Sequence, residues 1–178
     1  MSEQMLSDGE LLSRFLSGAE KLHALVQGLS EEDLDLSPRP NAWSIRQIVH
    51  HLADDGDVWS MCIKKAIATP GALVRFEGFP GNEPWASALD FGAREIGPAL
   101  DLITAHRRYL AEMLGHFPDA WDRSVRLADG AGEVRREISV REMVQMLTDH
   151  LLEHVETIER TLARKGRAGG ETGTEVVR

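Results

Sequence analysis

Seven histidines occur in the chain, and two of them, His150 and His154, stand four residues apart in a stretch of clear helical periodicity. On an α-helix that spacing puts them about 40° apart around the axis and about 6 Å apart along it. Two imidazoles so placed can reach one ion at the Zn–N distance of roughly 2.0–2.1 Å. Both continue the series Met143, Leu147, His150, His154, Ile158, so both are expected to point into the protein. An interior imidazole without a partner forfeits its solvation, and two adjacent ones cannot both charge cheaply; a metal ion resolves both problems. A pair alone is often just two polar residues on a helix, so the reading needs a third donor from another segment. His51 supplies it, because it follows Ile48 by three, precedes Asp55 by four and has Leu52 beside it on an apolar stripe. Its neighbour His50 is rotated by about 100° and cannot share that direction.

Three neutral imidazoles leave a divalent ion its full charge and at least one open position. A closed structural site usually has four protein ligands, often cysteines, whereas the single cysteine here, Cys62, reads as a small core residue. Water or a thiol at the open position would be acidified by the ion. Imidazole suits Zn, Ni, Fe and Cu alike. His150-Leu-Leu-Glu153-His154 also fits the inverted zinc-protease pattern. That chemistry needs a carboxylate ligand well downstream, and too little chain follows. Asp54 reads equally as an acceptor orienting a ligand imidazole or as a solvated carboxylate. No residue stands out as a general acid or base. His23, His106 and His116 have no convergent spacing, and Trp43, Trp59, Trp85 and Trp121 read as packing or loop anchors.

The elements that must position these residues are mostly helices. Ser7 with Glu10, Ser44 with Gln47, and Ser139 with Glu142 have capping-box spacing and open three of them. The first carries Leu11, Phe15, Ala19 and Leu22 at helical spacing. The second carries Ile45, Ile48, Val49, Leu52, Cys62, Ile63 and Ile67 and ends at Pro70-Gly71. A third is expected from about Ala86 to His116, kinked or broken at Gly97-Pro98. The last runs from Val140 through Leu162 to about Lys165. Ser30 to Ala42 reads as a connecting loop, and Pro70 to Trp85, rich in Gly and Pro, as a long irregular one. Between Arg123 and Ile138 the alternation changes around Asp129-Gly130-Ala131-Gly132, as in a small β-hairpin. Residues 1–165 are thus expected to form a single domain, a mainly α four-helix bundle. The Gly-rich stretch 166–178 is expected to be disordered.

Composition narrows the partners. With 42% hydrophobic residues in 178, the chain can bury one good core. Its net charge of −9 and scattered basic pairs argue against nucleic acid. No apolar run approaches the roughly 20 residues of a membrane span. One cysteine and no recognisable signal segment point to the cytoplasm.

The run Trp43-Ser-Ile-Arg-Gln-Ile-Val-His50-His51-Leu-Ala-Asp54, followed by His150-x-x-x-His154, resembles the DinB/YfiT-like superfamily, the YfiT branch in particular. Trp85-Ala86 is similar to that branch's loop-to-helix junction. The resemblance spans about Ser7 to Lys165. It implies an up-down-down-up bundle with a metal at one end, held by His51, His150 and His154. It also implies a divalent ion, Zn or Ni, and a small-molecule substrate. The implied chemistry is hydrolysis or S-transfer from a low-molecular-weight thiol such as bacillithiol, mycothiol or glutathione. The loop 70–85 and the hairpin near Gly130 would wall the pocket. A homodimer follows by the same analogy, and a non-catalytic, metal-stabilised bundle with a binding or regulatory role is the alternative. The chain departs from the branch at Asp55-Gly56, where members often carry Ser-His.

Overall fold

A computed structural model describes residues 6–171. Its long helices are α1 (Asp8–Val26), α3 (Ile45–Ala68), α5 (Gly97–His116) and α6 (Val140–Glu171), with short helices α2 (Glu31–Leu34) and α4 (Asn82–Ala88) between them. The capping boxes at Ser7 and Ser44 form as the spacing predicts. At the last one, Ser139 and Glu142 exchange the same reciprocal bonds. Each such cap satisfies backbone donors and stabilises its helix by about 1 kcal/mol.

α1 packs against α5 and α6, and α3 packs against the same two, so sequence neighbours α1 and α3 lie across the diagonal. Named contacts fix the directions. The pair Arg141–Asp8 joins the starts of α6 and α1, and Leu151 meets Gly18 further along, so these helices are parallel. Arg46 and His50 meet Arg94 just before α5, while Asp57 meets His106 within it, so α3 and α5 are also parallel. Lys165 near the end of α6 reaches Asp33 beside the start of α3, which sets α6 against α3. The bundle is therefore up, down, down, up.

Its interior is two apolar clusters stacked along the axis. One gathers Leu11, Phe15, Ile63, Leu114, Met143 and Leu147, and the other gathers Leu22, Ile48, Val49, Ile103, Leu151 and Ile158. Burial of the four stripes, more than helix propensity, holds such helices together. Between the clusters lies a polar layer. Arg107 is buried there, donates to the carbonyls of Phe15 and Leu147, and has its guanidinium 4.3 Å from the Phe15 ring centre. Burial pushes its pKa down to about 10.

The connections are more ordered than the sequence predicts. The expected loop Ser30–Ala42 begins with α2, capped by Ser30 and Asp33. The expected irregular loop 70–85 contains β1 (Leu73–Arg75), which runs parallel to β2 (Ser124–Ala128), and the first residues of α4. β2 pairs antiparallel with β3 (Val134–Ser139), so the expected hairpin is two strands of a three-stranded sheet. The sheet closes one end of the bundle through buried Val74, Val125 and Ile138. Gly132 at its turn has φ +88°, and a Cβ there would lie 2.7 Å from Arg75 Nη2.

The expected third helix is two: α4 ends at Ala88, and α5 begins afresh at Gly97. Pro98 lies in its first turn, where a missing N–H is harmless, so it starts a helix and does not kink one. α6 continues through Glu171, past the predicted end at Lys165; residues 172–178 of the expected tail lie outside the described residues. No described helix is long and apolar enough to cross a membrane.

Candidate metal centre

His51, in the second turn of α3, and His150 and His154, in the middle of antiparallel α6, meet on one side of the bundle. Their ligand nitrogens all lie within 4.8 Å of one another. His51 Nε2 is 3.2 Å from His150 Nε2, and His154 Nε2 is 3.0 Å from the same atom. Three imidazoles bound tetrahedrally at the usual Zn–N length have nitrogens about 3.3 Å apart, so two edges of the cluster already have the size an ion requires. His51 is buried, and the α6 pair is half-buried. Trp43 packs edge-on against the His51 ring at 4.7 Å. The adjacent His50 is buried too, but it turns away, donating from Nε2 to the Arg94 carbonyl and lying against Phe91.

Electrostatics prepares the set for a cation. Burial, foremost, holds the His51 pKa below the ordinary imidazole value. At His154, burial and then the neighbouring His150 and His51 push it down to about 4. Neutral rings keep the lone pairs that metal ligation uses. Asp55 lies on the same face of α3 one turn beyond His51, and its Oδ2 is 2.9 Å from His150 Nδ1 and 3.8 Å from His51 Nε2. A carboxylate can only accept, so its position favours the His150 proton on Nδ1, which would leave Nε2 for an ion.

Of the two adjacent carboxylates, then, Asp55 is the one that lies against His150. Asp54, which the sequence left equally as an orienting acceptor or a solvated carboxylate, accepts from Trp85 Nε1 at 2.7 Å and so is neither. That bond pins α4 to α3. The signal for Asp55 was its four-residue spacing from His51.

Two members of the cluster, His51 and His150, form part of the wall of a cleft of about 410 Å³. Asp55, Trp59, Met146, Asp149 and Glu153 line it, with Asn82 from α4. Of the two expected walls, the 70–85 segment thus contributes Asn82, while the turn near Gly130 contributes none of the described lining residues. His23 and His116 lie apart from the cluster. His106 pairs with Asp57 at 3.0 Å.

A family model described as the DinB superfamily matches residues 14–158. The chain belongs to the DinB superfamily. Among its DinB relatives is a protein of Geobacillus kaustophilus (strain HTA426), 32% identical over 114 residues, which are 64% of this chain and 62% of that one. Another, from Oceanobacillus iheyensis, is 26% identical over 168 residues, 89% of this chain and 92% of its own. Both bear the name "Putative metal-dependent hydrolase". The chain therefore spans under two thirds of the first relative and nearly all of the second.

The structure of YfiT from Bacillus subtilis, titled "a probable metal-dependent hydrolase with an unusual four-helix bundle topology", superposes with a TM-score of 0.78. It covers 93% of both chains at 18% identity, so the DinB bundle is shared as a fold. The Asp55-Gly56 pair has a local reason in this DinB chain. A Cβ at Gly56 would lie 3.2 Å from His106 Nδ1, so a larger residue there would displace the His106 ring.

Proposed function

We propose that this chain is a metal-dependent hydrolase whose single divalent ion, Zn or Ni, is held by His51, His150 and His154. One observation carries the reading: three imidazole nitrogens from antiparallel helices converge near the spacing of a tetrahedral site, beside an open cleft. A further carboxylate beside the cluster, Asp55, lies against His150 Nδ1. The names of the relatives support the same chemistry. An ion there would supply a Lewis acid that acidifies water and polarises a carbonyl.

The protein's own residues do the rest. Asp55 sets the tautomer and direction of His150. Trp43 packs along His51, and the Asp54–Trp85 bond holds the α4 wall beside the cleft. S-transfer from a small thiol would use the same open position and is the competing chemistry. Carboxylates around the cleft disfavour it for anionic thiols such as glutathione.

Elemental analysis of the purified protein beside His51→Ala is the first test. The expected result is about one ion per wild-type chain and a large loss in the variant, as a three-ligand site requires. Ester and amide hydrolysis should then follow the ion through chelation and reconstitution. Bound metal that supports stability, with no hydrolysis or thiol transfer to lose, would mean a structural staple, whether in a monomer or a homodimer.

A further inference from the structure

Resting on that reading, we propose that the cleft selects a cationic small molecule: an amine-bearing substrate with an apolar body. The cleft is large enough, at about 410 Å³, for a compact metabolite. Asp149 and Glu153 lie four residues apart on α6, on the face that also carries Met146 and His150, and both line the cleft. Asp55 contributes a third carboxylate from α3. No lysine or arginine is among the described lining residues. Three carboxylates outnumber the charge of one divalent ion, so the cleft keeps a negative field even when the ion is held.

Trp59 and Met146 add apolar surface. The Trp59 indole, 5.8 Å from the Phe76 ring, lines the cleft, and an indole is the side chain that attracts an ammonium group best. Asp55 is occupied by His150, so charge selection falls to Asp149 and Glu153. An anionic ligand meets repulsion at the same positions.

The test uses the cobalt-loaded protein and three thiols of matched size: cysteamine, 2-mercaptoethanol and 3-mercaptopropionate. Thiolate binding to the ion is followed by its charge-transfer absorption. The quantity read is the affinity ratio of cysteamine to 3-mercaptopropionate, compared between wild type and the double variant Asp149→Asn, Glu153→Gln. This comparison cancels the thiols' own differences in acidity.

The ratio should be about tenfold larger in wild type, the scale of two partly screened charge interactions. It should shrink in 1 M salt, where the screening length falls to about 3 Å. The salt arm also serves if the variant fails to fold. Equal ratios in both proteins, insensitive to salt, overturn the charge selection while leaving the metal centre standing. Absence of any cobalt spectrum in wild type overturns the metal reading beneath it.

Discussion

Two neighbouring carboxylates on α3 divide the work around the cluster: Asp54 holds Trp85, and Asp55 holds His150. Replacing Asp55 by Ala removes the acceptor that keeps the His150 proton on Nδ1. Metal affinity should fall by about 10–100-fold, the usual effect of losing such an outer partner. The thermal midpoint of the metal-free protein should barely move, because the side chain is not in the apolar core. Competition against a chromophoric chelator measures the first, and a melt in excess chelator the second; undiminished affinity would remove Asp55 from the site. Trp85→Phe, by contrast, deletes only the bond to Asp54. It should leave metal affinity unchanged and make the 70–96 segment more open to limited proteolysis.

The convergence of His51 with the α6 pair was legible because helical phase is set by spacing alone, and all three lie on stripes. The choice between Asp54 and Asp55 turns on one residue of that phase, about 100° of rotation. The four-residue step from His51 pointed to Asp55, but the adjacent Asp54 carried the family-like motif. His50 shows the limit of the stripe argument. It too is buried, by Phe91 and the Arg94 carbonyl, from a connection whose path no local pattern reveals.

Among the elements, the long helices declare themselves through caps and apolar periodicity, and the short ones do not. α2 has a capping box, Ser30 with Asp33, but only one turn of chain to go with it. β1 is three residues whose pairing lies with β2, some fifty residues away, so only the tertiary fold could reveal it. Arg107 was legible in principle, since it falls in step with Leu100, Ile103, Leu110 and Leu114 on the α5 stripe.

Its burial has a testable energetic signature. The two carbonyls it serves belong to helices, and neither described hydrogen bond of its guanidinium is to a carboxylate. Arg107→Met should therefore stay within about 1 kcal/mol of wild type, because removal of the charge also removes its desolvation cost. Arg107→Ala should lose about 2–4 kcal/mol by leaving a cavity between the two apolar clusters. Urea unfolding of the two variants checks the pair. Equal, large losses would show that the charge itself, through its bonds to α1 and α6, sustains the layer.

For the whole molecule, the decisive feature is that the candidate centre sits beside a bundle already filled by two apolar clusters. A small zinc domain unfolds when its ion is removed, because the ion replaces a core. Neither apolar cluster depends on the histidines, so the chain should remain helical in chelator, with its far-ultraviolet circular dichroism intact. The ion should still add stability by mass action. At a free concentration 100 times its dissociation constant the gain is about 2.7 kcal/mol. For a domain of this size that corresponds to roughly 5–10 °C in the melting midpoint. The increment should vanish in His51→Ala, where two imidazoles from α6 have no partner across the cleft, while the variant's metal-free melt remains close to wild type. Paired calorimetric scans with and without metal separate the outcomes. A chain that unfolds on chelation would make the ion part of the core. An increment that survives His51→Ala would place the bound ion somewhere other than the junction of α3 and α6.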